Sequence, residues 1–171
     1  MRIYDGSPRQ DFEEVLRSIG AVLDQRGMRE ISLTEVPDGF IVQGLVIEPT
    51  GSWTDQYAQL HKETLSFVDD DIARFMEEGL ARREHPVAVT GRVDADRYEN
   101  ALRVLGHYID QQHPRDVFFF EQEGAYVLRL LISTQGGGSR HLLVEFTRDE
   151  VAGLVAQAPE SRGATTGSHA G

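Results

Sequence analysis

The sequence predicts an α+β fold built as a tandem duplication of an αβββα unit, each with a three-stranded antiparallel sheet. Three observations predict it: a gapless internal match, helical spacing at the head of each matched window, and alternating apolar runs with turn residues behind it. Setting FEEVLRSIGAVLDQRGMREISLTEVPDGFIVQGLVI (12–47) over YENALRVLGHYIDQQHPRDVFFFEQEGAYVLRLLIS (98–133) gives nine identities in 36 positions. They include Glu13/Glu99, Leu16/Leu102, Arg17/Arg103, Gly20/Gly106 and Asp24/Asp110. The first repeat spans 1–86 and the second 87–157, with a small, polar tail over 158–171 that reads as disordered.

Each window opens with a helix. Phe12, Val15, Leu16, Ile19, Val22 and Leu23 recur at helical spacing, and Tyr98, Ala101, Leu102, Leu105 and Ile109 repeat the pattern. Ser7, Pro8 and Gln10 read as N-cap, first-turn proline and capping-box partner, while Gly27 and Pro114 mark the helix ends. Glu13/Arg17 and Glu99/Arg103 read as ion pairs on the exposed flank. Gly20 and Gly106 fall inside these helices, where glycine costs about 1 kcal/mol relative to alanine. A close backbone crossing of one first helix on the other, about a pseudo-twofold axis, would repay that cost.

Three strands follow in each repeat: 30–36, 40–48 and 62–68, then 116–122, 125–133 and 141–147. PDG and EG supply hairpin turns. A second helix starts near Asp69 in the first repeat and behind a Thr147–Glu150 capping box in the second. The connection EHPVAVTGRVDAD holds a candidate strand at 87–90. Patterning does not decide whether the two sheets merge into one or pack face to face.

The net charge of −11 disfavours nucleic acid and anionic membrane surfaces, because both draw affinity from clustered Lys and Arg. The absence of cysteine removes disulfides, thiolate nucleophiles and cysteine-ligated metals. The start MRIYDGSPRQDFEEV lacks the features of a secretory signal, and no apolar run is long enough for a membrane helix, so a cytoplasmic location is expected.

No catalytic, cofactor or metal motif emerges, and the expectation is a non-enzymatic protein. QGGGSRH (135–141) has the glycines of a phosphate loop but lies between two strands instead of before a helix. The acidic run Asp69 to Asp71 suits a helix N-terminus. The six histidines form no HExxH or comparable pair, and no serine sits in a G-x-S-x-G elbow. Lys62, the only lysine, lies at a strand start where a solvated side chain belongs.

The strongest lead is RDVFFFEQEG (115–124). In the first repeat EISLTEV alternates, with Ile31 and Leu33 inward and Ser32 and Thr34 outward. The second repeat keeps the inward pair as Val117 and Phe119 but replaces the outward pair with Phe118 and Phe120. Matching Phe67 with Phe146 likewise sets Leu143 against Thr64. A contiguous apolar patch of this kind marks a contact surface, and burying two phenylalanines contributes roughly 3–6 kcal/mol. The cover is either internal, from Trp53 and Tyr57 or from the other sheet, or external, from a second copy or a different protein. Phe118, Phe120 and Leu143 are therefore the candidate partner-binding residues. The competing expectation is a small-ligand sensor with a pocket between the repeats, bounded by Trp53, Tyr57 and Arg140.

The element order of 7–84 and 93–157, two helices around a three-stranded antiparallel sheet, resembles the type III secretion chaperones and the related bacterial sensory-transduction-regulator domains. That resemblance implies a non-catalytic protein that holds a partner segment on its sheet or helix surface. Those chaperones are typically dimers of one such domain, so two linked repeats would mimic the dimer within a single chain.

Overall fold

A computed structural model describes residues 9–48, 59–84 and 97–157, and its organising feature is one six-stranded antiparallel sheet. The chain runs α1 (Phe12–Arg26), β1 (Met28–Val36), β2 (Gly39–Glu48), β3 (Gln59–Val68), α2 (Asp69–Glu84), α3 (Tyr98–Gln112), β4 (Asp116–Gln122), β5 (Ala125–Ser133), β6 (Ser139–Phe146) and α4 (Arg148–Gln157). The strand order is β3-β2-β1-β4-β5-β6, so the sheets of the two repeats merge edge to edge. The seam pairs Ser32 with Phe120, Leu33 with Phe119 and Thr34 with Phe118. Leu33 and Phe119 are also equivalent in the internal sequence match, which places the local twofold between them.

All four helices lie on one face. Phe12 of α1 meets Phe40 edge-on with ring centroids 6.2 Å apart, Phe75 of α2 meets Phe67 at 6.0 Å, and Tyr108 of α3 meets Phe146 at 5.0 Å. Val151 and Val155 of α4 join the same core, which includes Ile31, Leu33, Val42, Val117, Phe119, Leu128 and Leu130 from the strands. Strand alternation therefore sends one set of residues into the helix layer and leaves the other on the opposite face.

The α1–α3 crossing is as close as the paired glycines predict. A Cβ on Gly20 would stand 2.5 Å from the Tyr98 carbonyl oxygen, and one on Gly106 would stand 2.5 Å from that of Phe12. Each helix also caps the other. The Asp110 carboxylate accepts the backbone N–H groups of Phe12 (2.9 Å) and Glu13 (3.0 Å), and Asp24 accepts those of Tyr98 (2.9 Å) and Glu99 (3.0 Å). Burial pushes both carboxyls above the ordinary aspartate range, while the two backbone donors on each pull against that shift. Asp24→Ala or Asp110→Ala should each destabilise the fold by about 1–2 kcal/mol, measured by urea unfolding, because each strands two helix N–H groups.

Reciprocal capping replaces the expected local cap. Ser7 and Pro8 lie outside the described residues, and α1 begins only at Phe12, where Asp11 makes no side-chain cap bond. A second correction concerns the arginines. Arg17 and Arg103 are 2% and 3% exposed, not solvated, because the neighbouring helix covers the flank that carries them. Arg17 accordingly reaches across the crossing to Glu99 at 3.7 Å.

Several ends follow the sequence signals. Gly27 closes α1 in the left-handed region (φ 66°), its N–H returning to the carbonyls of Asp24 and Leu23. Glu123 and Gly124, both at positive φ, form the two-residue β4–β5 turn. The Thr147 hydroxyl accepts the Glu150 N–H and donates to the Glu150 carboxylate, both at 3.2 Å, so Thr147 caps α4 and does not extend β6. Other strand boundaries shift from expectation. β3 and β6 begin at Gln59 and Ser139, and β1 begins at Met28, ahead of a bulge in which Glu30 (φ 50°) and Ile31 together oppose Gly44. The candidate strand at 87–90 and the tail 158–171 lie outside the described residues.

Candidate functional site: the open sheet face

The face away from the helices is ordered in rows by strand register. One row reads Ser66, Ile41, Thr34, Phe118, Arg129, Leu143, and the next Thr64, Gln43, Ser32, Phe120, Val127, Glu145. In these two rows the first repeat is polar apart from Ile41, whereas the second contributes the aromatic pair, Val127 and Leu143; elsewhere on its half of the face the first repeat adds Val36, Leu45 and Val68. No helix among the described residues crosses it.

Phe118 and Phe120 stand on consecutive outward positions of β4, with ring centroids 5.9 Å apart. Arg129, their neighbour on β5, lays its guanidinium 5.1 Å from the Phe118 centroid. Both rings are half-buried by these contacts and by the flanking Ser32 and Thr34. Leu143 shares the Phe118 row but sits two strands away, with Arg129 between them. At 68% exposure it is the most exposed large hydrophobic among the described residues.

The surface thus combines an aromatic pair whose ring planes are tilted by 44°, one cation held over a ring, and an exposed leucine on the edge strand. Its apolar contact area lies beside the Arg129 guanidinium, and among the described residues no group of three His, Asp or Glu side chains is placed there to hold a metal. Sequence reading identified the phenylalanines and Leu143 but passed over Arg129. Its signal was present in AYVLRLLIS, where one arginine interrupts an apolar run at an outward position.

The residues expected to bound a ligand pocket do not converge on this face. Arg140 is exposed on β6 opposite Ile132, on the side of the alternation that faces the helix layer. Trp53 and Tyr57 lie outside the described residues. The QGGG of QGGGSRH forms the β5–β6 hairpin tip and its SRH opens β6, with Gly136 and Gly137 at positive φ and the Thr134 N–H donating to the Gly138 carbonyl at 2.8 Å. The acidic run opens α2, where the Asp69 carboxylate accepts the Arg9 guanidinium and Asp71 faces Arg74 at 3.3 Å.

An open cavity of about 420 Å³ lies between residues 9–11 and α2. Among the described residues lining it the one cation, Arg9, is already engaged by Asp69, by Asp11 at 3.5 Å and by Glu35 at 3.9 Å, and stacks over Phe40 at 5.2 Å. The described lining therefore offers a ligand no uncommitted cation. Among the described residues no group of three His, Asp or Glu side chains is placed to hold a metal, and no helix is long and apolar enough to cross a membrane. No protein-family model, curated protein or solved structure matches the chain.

Proposed function

We propose that the chain is a non-enzymatic, chaperone-like or adaptor protein of the cytoplasm that captures an apolar segment of another protein on the open face of its second repeat. The observation that carries this reading is the aromatic pair Phe118 and Phe120, placed where the equivalent strand of the first repeat has serine and threonine. The contrast between these two paired strands argues that the aromatic rings are there to be covered. The cation–π contact positions Arg129 to receive an acidic residue of the captured segment. The resemblance to secretion chaperones supports the same reading, as does the local twofold at the β1–β4 seam, which gives one chain the symmetry of a dimer.

Phe118→Ser/Phe120→Thr gives the second repeat the outward side chains of the first. Because both rings are half-buried on the outer face, the variant should stay folded, losing about 1–3 kcal/mol. It should fail to retain the protein that co-purifies with the wild-type chain. Hydrogen exchange on the wild-type complex should show added protection in β4 and β5. A partner that the folded variant retains undiminished would rule out this face as its site.

A further inference from the structure

We propose that the chain also forms a symmetric dimer by pairing β6 with β6 of a second copy, antiparallel and centred on Leu143. A six-stranded open sheet has two edges, and here they differ. β3 carries the chain's only lysine, Lys62, exposed on the outer face beside Thr64 and Ser66, and an edge lysine deters strand addition. β6 instead presents Leu143 at 68% exposure, with Leu142 and Val144 half-buried on either side.

The sequence of β6 is complementary to itself in one register. Centring the pair on Leu143 sets the two Leu143 side chains together, Leu142 of each copy opposite Val144 of the other, and His141 of each opposite Glu145 of the other. The Leu143 and His141–Glu145 matches stay on the outer face and the Leu142–Val144 matches on the helix side, as a continuous sheet requires. Centring on Leu142 would set Leu143 against His141, and centring on Val144 would set Leu143 against Glu145, so both neighbouring registers lose the apolar pair and the two charge-complementary ones. Cross-strand pairs of this kind are what select a register.

The chain already contains this geometry, since β1 and β4 meet antiparallel about Leu33 and Phe119 with only three paired positions. Pairing through β6 in this register would engage seven residues of each copy, Arg140 to Phe146. It would also join the rows of the two open faces, so that Phe118, Arg129 and Leu143 of one copy continue into Leu143, Arg129 and Phe118 of the next.

The test is sedimentation equilibrium of the full chain over a hundredfold concentration range. The expected mass rises from 19.1 kDa toward twice that value. Leu143→Lys, which sets two cations on the axis, should weaken association at least tenfold, as should His141→Glu, which sets carboxylates opposite each other. The swap His141→Glu/Glu145→His should restore it. These positions are exposed, so the variants keep their fold, checked by circular dichroism. Phe118→Ser/Phe120→Thr should leave the dimer intact, which separates this interface from the partner-binding face. A constant 19.1 kDa mass, a dimer indifferent to the swap series, or one abolished by the phenylalanine variant would each overturn the proposal.

Discussion

Replacing both Gly20 and Gly106 by alanine is expected to destabilise the protein by about 3–5 kcal/mol. In an open helix the same change would help by up to 1 kcal/mol, through lower backbone entropy in the unfolded chain and better helix propensity. Here the new Cβ atoms would stand 2.5–2.7 Å from backbone atoms of Tyr98 and Glu99, and from those of Phe12 and Glu13 in the symmetric case at 2.5–2.8 Å. Backbone cannot rotate aside as a side-chain tip can, so the helices must separate. Separation would also lengthen the four bonds to Asp24 and Asp110. Because one movement relieves both clashes, the two substitutions should cost less together than the sum of each alone. Calorimetry should show melting lowered by on the order of 10 °C. Gly153→Ala supplies the opposite sign, since no described residue comes within 4 Å of its added Cβ in α4, and it should stabilise by about 0.5–1 kcal/mol.

Phe119→Ala is expected to cost about 3–5 kcal/mol. The ring is fully buried, lies across the seam from Leu33 and across β5 from Leu128, and meets Tyr126 edge-on at 6.3 Å. Truncation would open a cavity where the sheets of the two repeats join, with packed helices above it that cannot collapse into the space. Urea unfolding of Phe119→Ala beside Phe118→Ser should separate the two faces of β4, the buried position losing much the more. Equal losses would mean that the outer face is as well packed as the core.

Much of the fold was legible because it is written in local chemistry. Period-3.6 and period-2 spacing located the elements, EG and Gly27 located turns, and the Thr147–Glu150 pair located a helix start. The glycine pair even announced the helix crossing. What stayed hidden depends on residues far apart in sequence. Asp110 as the cap of α1 is separated from it by the whole first repeat, and Ser7, outside the described residues, was the nearer candidate in the sequence. Arg17 and Arg103 looked solvent-facing because i,i+4 pairing with glutamate is the usual surface pattern, yet in a paired crossing that flank is interior. The β1 bulge had no marker beyond Gly44, which is on the partner strand. At the candidate site, Phe118, Phe120 and Leu143 were visible as departures from the first repeat. Arg129 has Gln43 as its counterpart there and so seemed merely another polar position.

The reciprocal caps bear on how the molecule loses its structure. Asp24 completes the start of α3, and Asp110 completes the start of α1, so neither repeat satisfies its own first helix. An αβββα unit made alone would carry a helix with exposed N–H donors, an unmatched glycine furrow and an unpaired strand at the seam. Melting should consequently be a single concerted event spanning both repeats, with no state in which one half persists while the other has come apart.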